Sequence, residues 1–110
     1  MGCLTRNIVL GILIGLPILA LADQVPCTLV IKDHQFQPAQ LKISANTKVK
    51  IIIENQDAAP EEFESFQLNR EKVITAKGKG IIFIGPLKAG AYKFFGDFHK
   101  ETAQGEIIVQ

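Results

Sequence analysis

The chain is poor in the residues that most often carry chemistry. Its 110 residues include no tryptophan, one tyrosine, two histidines, two cysteines and one methionine, which is Met1. No thioether is therefore left for a metal site in the body of the chain. Charge of one sign is also missing: 12 Lys and Arg stand against 11 Asp and Glu. A balance this close to zero leaves no footprint for nucleic acid or an anionic membrane. Ser44 and Ser65 sit in no nucleophile-elbow motif, and no glycine-rich phosphate loop precedes a helix, which excludes the common acyl- and phosphoryl-transfer frameworks. No segment holds a helical period over three turns.

What is present begins with a leader. "MGCLTRN" carries Arg6, and the apolar run "IVLGILIGLPILALA" follows it. Ala20-Leu21-Ala22 then supplies the small-x-small pattern of a signal-peptidase site. The run from Ile8 to Ala22 is short for a membrane span and is broken by Pro17. Residues 1–22 are thus expected to be a cleaved signal peptide and residues 23–110 an exported domain, with an uncleaved anchor as the alternative. Cys27 follows Gln24-Val25-Pro26, which is no lipoprotein signal, and Arg6 stands where N-myristoylation wants Ser or Thr. Cleavage would remove Cys3, leaving Cys27 as a buried small side chain with no disulfide partner.

Residues 23–110 form a string of short β-type runs separated by turn residues: "CTLVIKD", "QLKIS", "KVKIIIEN", "EFESFQL", "KVIT", "GIIFIG", "AYKFFGDF" and "GEIIVQ". Seven or eight strands in so short a domain imply an all-β antiparallel sandwich. Alternation puts Val49, Ile51, Ile53, Phe63, Ile82, Ile84, Tyr92, Phe94, Ile107 and Val109 in its core. The "ANT" turn makes Leu41–Asn55 a hairpin or a sheet-crossing connection.

Two constellations could carry chemistry. In "PEEFES", Phe63 pointing inward places Glu62 and Glu64 together on the opposite face. In "GDFHK", the same alternation would set Asp97 beside His99. Three carboxylates and an imidazole meeting at one edge would suit a hard or borderline cation. The bland alternative for each is a solvated strand face or a surface histidine. Asp33 and His34, in "KDHQFQP", fit a turn cap better than a ligand pair, and Glu71 fits a salt bridge with Arg70 or Lys72.

The run from "KDHQFQPAQLKIS" through "PEEFESFQLNREKVI" to "GPLKAGAYKFFGDFHKETAQGEIIV" resembles the cupredoxin-like domains of bacterial iron-uptake systems, the EfeO-type domains and the small periplasmic ferroxidase-type partners of iron permeases. The resemblance covers about residues 28–109. It implies a Greek-key β-sandwich, a periplasmic location, and binding of copper or iron. Copper-type loops use a Cys, a His and usually a Met; here Gly96 occupies the cysteine position, His99 follows, and Ala103 and Gln104 stand where a Met would be. The EfeO-type pair of cysteines is replaced by Phe36 and Gly96, while its glutamate is kept as Glu62. The expected site is therefore Glu62, Glu64, Asp97 and His99, holding copper or iron. The function implied is binding or oxidation of Fe(II) ahead of an inner-membrane permease. A copper carrier without turnover and a metal-free interaction module are the rivals.

Overall fold

The computed structural model describes Cys3 and residues 25–110. The signal-peptide reading of residues 1–22 lies, Cys3 apart, outside the described residues. Two sheets pack face to face. The strands are β1 (Val25–Lys32), β2 (Gln35–Gln37), β3 (Gln40–Ile43), β4 (Val49–Asn55), β5 (Glu61–Ser65), β6 (Arg70–Ile74), β7 (Lys79–Ile84), β8 (Gly90–Gly96) and β9 (Gln104–Val109). One sheet runs β2-β1-β4-β7 and the other β3-β9-β8-β5-β6. The all-β sandwich is as expected, with a ninth strand. The addition is β2, three residues folded back on β1 by the two-residue turn Asp33-His34, with Lys32 opposite Gln35.

The sheets are mixed rather than antiparallel. β1 pairs parallel to β4, and β3 parallel to β9. The reason is the connection between β3 and β4: "ANT" carries the chain from the five-stranded sheet to the four-stranded one, so it is a sheet crossing and not a hairpin. β1 and β4 then run the same way with two strands between them, as a parallel pair requires.

Alternation does the rest. On β4, Val49, Ile51 and Ile53 are buried while Lys50, Ile52 and Glu54 are half-buried, and on β7 Ile82 and Ile84 are buried between exposed Ile81 and Phe83. Nine of the ten expected core residues are buried; Tyr92 is the exception, half-buried with its hydroxyl donating to the Lys88 carbonyl at 2.8 Å. Beneath one end of the sandwich three rings meet. Phe63 and Phe94 stack at 5.0 Å, and Phe36 packs edge-on against Phe94 at 5.0 Å and Phe63 at 6.1 Å. Edge-on and offset contacts of this kind add to the area they bury.

Cys27 is buried, as expected, but in the intact chain it is disulfide-bonded to Cys3, their Cα atoms 5.0 Å apart. That spacing is within bridging range. The unpaired Cys27 of the sequence reading belongs only to a chain cut after Ala22.

Candidate metal centre

β5 is the hinge of the site, because its alternation sends neighbouring glutamates to opposite faces. Glu61, Phe63 and Ser65 are buried, while Glu62 and Glu64 lie half-buried on the outer face of the five-stranded sheet. β8 lies beside β5 with Gly96 opposite Phe63, and the Asp97 N–H donates to the Glu62 carbonyl at 2.8 Å, extending the ladder by one residue. Asp97 therefore arrives directly across from Glu62. One carboxylate oxygen from each of Glu62, Glu64 and Asp97 falls within 4.8 Å of the others.

Glu71 joins this acidic face instead of forming the expected salt bridge. It stands directly across from Glu64 on β6. Arg70 is turned away, donating to the carbonyls of Phe83, Leu68 and Asn69. Partial removal from water, then the charges of Glu64, Asp97 and Glu71, push the Glu62 carboxyl above its ordinary range. Glu64 is raised likewise, by desolvation and then by Glu71 and Asp97, with Lys100 opposing. Lys100 sits 3.5 Å from Asp97 and over the Phe95 ring, which meets Phe66 edge-on. Phe95 and Phe66 flank this face, whereas Phe63 and Phe94 lie in the core beneath it.

His99 does not join the three carboxylates. β8 ends at Gly96, and Asp97–His99 form a turn in which the His99 N–H donates to the Gly96 carbonyl at 3.1 Å. Strand alternation therefore does not carry past Gly96. The His99 imidazole turns to the inner side, where its Nδ1 lies 2.6 Å from Glu61 Oε2. The other oxygen of Glu61 accepts the N–H groups of Phe98 at 2.9 Å and Glu62 at 3.0 Å. The Glu61 carboxylate can only accept, so the Nδ1–H of His99 donates to it.

Glu61 is the residue that the sequence reading missed. The signal was there: placing Phe63 inward on an extended strand places Glu61 inward with it. Gly96 makes room for it. A Cβ at position 96 would stand 2.6 Å from Glu61 Cδ and 2.7 Å from Ala103 Cβ, so the Glu61 carboxylate occupies the space a side chain there would need.

Asp33 and His34 do not cap a turn as expected but are themselves the β1–β2 turn, both in the left-handed region with φ of 55° and 59°. The cap comes from elsewhere. Asp57 accepts the Asp33 N–H at 2.8 Å and the His34 N–H at 2.9 Å, and its own N–H donates to Asn55 Oδ1 at 2.9 Å. Buried Asn55 fixes this loop by donating to the carbonyls of Ala59, Ile74 and Thr75. Desolvation works against ionisation of Asp57, but the two backbone donors and the nearby imidazoles of His34 and His99 outweigh it and hold the carboxyl below its usual range.

The chain matches the model of the cupredoxin-like domain family over residues 8–109 and belongs to that family. The uncharacterized protein RP394 of Rickettsia prowazekii (strain Madrid E) is 48% identical over 81 residues; the match covers 74% of this chain and 65% of that protein's length. The metal-binding domain of the Cu(I)-exporting P-type ATPase CopA of Streptococcus pneumoniae D39 superposes with a TM-score of 0.72 at 13% identity, covering 83% of this chain and 90% of that one. Auracyanin A, a blue copper protein of Chloroflexus aurantiacus, gives 0.67 at 15% identity over 79% of this chain and 99% of that one. At such identities these two show a shared fold.

The blue-copper ligand set does not fit this chain. Gly96 offers no thiolate, Glu61 fills the space for one, and the His99 Nδ1 is engaged by Glu61. Ala103, near the end of the loop, is a fully buried methyl in contact distance of that same space and offers no sulfur. Among the described residues no helix is long and apolar enough to cross a membrane.

Proposed function

We propose that this cupredoxin-fold protein is exported to the periplasm and binds a hard or borderline cation through Glu62, Glu64 and Asp97. In this reading the ion is iron, held for delivery to an inner-membrane permease, and the chain is an EfeO-type or ferroxidase-partner member of its family. The observation that carries it is the convergence of three carboxylate oxygens within 4.8 Å on one sheet face. Oxygen-only donors favour iron over soft cations, and Fe(III) over Fe(II), so binding would draw oxidation forward. Desolvation and then mutual repulsion raise Glu62 and Glu64, and a bound cation offsets both. His99, part of the expected ligand set, belongs to the Glu61 side instead.

Anaerobic equilibrium dialysis against Fe(II), with Mn(II) and Mg(II) in parallel, tests the binding. The parent should retain one iron, and the Glu62→Gln/Glu64→Gln double variant none. Equal retention by both proteins would remove the site. Admitting oxygen then separates turnover from storage. Fe(II) loss faster than in protein-free buffer marks a ferroxidase, and loss at the buffer rate marks a carrier.

A further inference from the structure

The overall charge balance that argued against an anionic membrane is a sum over two unlike faces. The repelling carboxylates lie on the five-stranded sheet, and the outer face of the four-stranded sheet is the opposite in sign. There β4 turns Lys50, Ile52 and Glu54 outward, and β7 turns Lys79, Ile81 and Phe83 outward. Register sets Lys50 beside Phe83, Ile52 beside Ile81, and Glu54 beside Lys79. On β1, buried Leu29 and Ile31 leave Lys32 exposed on the same face. Lys72 comes from β6 and lies along the edge of β7, its Cε 3.5 Å from where a Cβ on Gly80 would stand. Among the described residues of these four strands, Glu54 is the one outward carboxylate, and Lys79 stands 3.9 Å from it.

The face is also apolar. Ile81 and Phe83 are each 43% exposed. Ile52 and Ile81 line a hollow of about 500 Å³ together with Gly80, Lys72 and Lys79. An apolar floor beside two ammonium groups suits an anion with an apolar body. A second copy does not meet that need, because a two-fold contact through this face would set lysines against lysines. Basic face on acidic face would not close and would grow into a filament. Nor does an extended segment pair with the edge of β7, since Arg70 Nε already takes the Phe83 carbonyl at 2.9 Å and Lys72 lies along Gly80.

We propose that the outer face of the four-stranded sheet docks on an anionic phospholipid bilayer. Lys32, Lys50, Lys72 and Lys79 meet the lipid phosphates, and Ile81 and Phe83 enter the headgroup layer between them. Attraction of lysines to anionic lipid and burial of apolar tips act together in such surface binding. The acids of the other sheet do not cancel it. Packed sheets lie about 10 Å apart, and the outward side chains add to that distance. The two charge sets are thus separated by more than the Debye length of about 8 Å at physiological ionic strength. The protein lies on the bilayer without crossing it, and its carboxylate face points away from the lipid. The proposal goes beyond the cation reading and does not depend on it.

The chain has no tryptophan, so Phe83→Trp places a single reporter on the proposed face. Vesicles of phosphatidylcholine mixed with phosphatidylglycerol should shift its emission to the blue, and vesicles of phosphatidylcholine alone should not. The shift should weaken between about 0.01 M and about 0.15 M salt, as the Debye length falls from about 30 Å to about 8 Å. Adding Lys50→Gln/Lys79→Gln should raise the lipid needed for half the shift by more than about tenfold. Phe66→Trp puts the reporter beside the carboxylates, at a residue 76% exposed, and its emission should stay unchanged. Residues 8–22 are common to all these proteins, so retention through that apolar run would not reproduce the difference between the two reporters. Glu62→Gln/Glu64→Gln should leave the Phe83→Trp shift in place, so failure of the cation site and failure of this surface are separable. An equal shift on both lipids, an undiminished shift in the lysine variant, or an equal response at Phe66→Trp would each overturn the proposal. A shift with poly-L-glutamate and none with vesicles would overturn it in favour of an acidic protein partner.

Discussion

Glu61 and Glu62 are adjacent in sequence and identical in chemistry, yet they live in opposite worlds. Glu61 faces inward, nearly inaccessible, and its carboxylate is met by two backbone N–H groups and an imidazole. Glu62 faces outward among Glu64, Asp97 and Glu71, and its nearest polar company repels it. The buried glutamate is the satisfied one, and the solvated one is frustrated. Burial of a charge is tolerated where donors are built around it, whereas proximity of like charges on a strand face has no such remedy within the protein. An external cation supplies one. The inner side of β5 is thus built as a closed polar network, and the outer side is a face of mutually repelling carboxylates.

Removing Glu61 should have the largest effect on this contrast. Glu61→Ala strands the Phe98 and Glu62 amides and the His99 Nδ1, and a donor left without its acceptor in this way costs about 1–3 kcal/mol. Urea unfolding should show that loss in the midpoint, and an effect under about 1 kcal/mol would mean that water replaces the carboxylate readily. Next comes the metal. Iron at a hundredfold excess over its dissociation constant should stabilise the parent by about 2.7 kcal/mol, or about ten degrees or more in melting temperature. Glu62→Gln/Glu64→Gln should abolish the rise, and a rise that survives would place iron elsewhere.

Gly96 tests the inner side from another direction. Gly96→Ala pushes a methyl into Glu61 and Ala103 and should cost about 1–3 kcal/mol by overpacking. For the same reason Gly96→Cys should give no intense thiolate-to-copper band while Glu61 stands in place. A blue product would show that the Glu61 carboxylate yields easily.

The smallest expected effect is in the pH profile of the metal-free protein. Glu62 and Glu64 have raised folded pKa values, so the fold is favoured when they are protonated. That contribution is complete below the ordinary value of 4.5 and lost as pH rises through their folded values above it. Asp57 has the opposite sign: its stabilisation is present above 3.8 and lost as pH falls through its lowered value. Stability should therefore rise slightly as pH is lowered toward 4.5 and fall again below 3.8. Glu71→Gln should flatten the first slope by removing one member of the repelling group. Thermal melts across this range would show either the slope or a profile flat as pH falls toward 4.5, which denies the raised values of Glu62 and Glu64.

The sandwich was legible because alternation is a local property. A buried Val49, Ile51 and Ile53 needs nothing beyond the two-residue period of a strand, and the same rule set Glu62 and Glu64 on one face. It also placed Glu61 inward, a consequence within reach of the sequence that only the crowding of three acids in "PEEFES" obscured. What alternation could not give was Asp97 and His99. β8 stops at Gly96, and beyond it a turn sends the carboxylate outward and the imidazole inward.

By itself, then, the sequence determined eight of the nine strands and nine of the ten core residues, since each depends on residue type and near-neighbour spacing, and the resemblance marked the missing thiolate at position 96. The tertiary structure decided which side chains meet. Asp97 reaches Glu62 by the register of β8 on β5, Glu71 reaches Glu64 by that of β6 on β5, and His34 reaches His99 because a two-residue turn and a C-terminal loop end at the same edge of the sandwich. Register and loop closure are settled by hydrogen bonds and burial summed over the whole sheet, and no short stretch of sequence carries that sum.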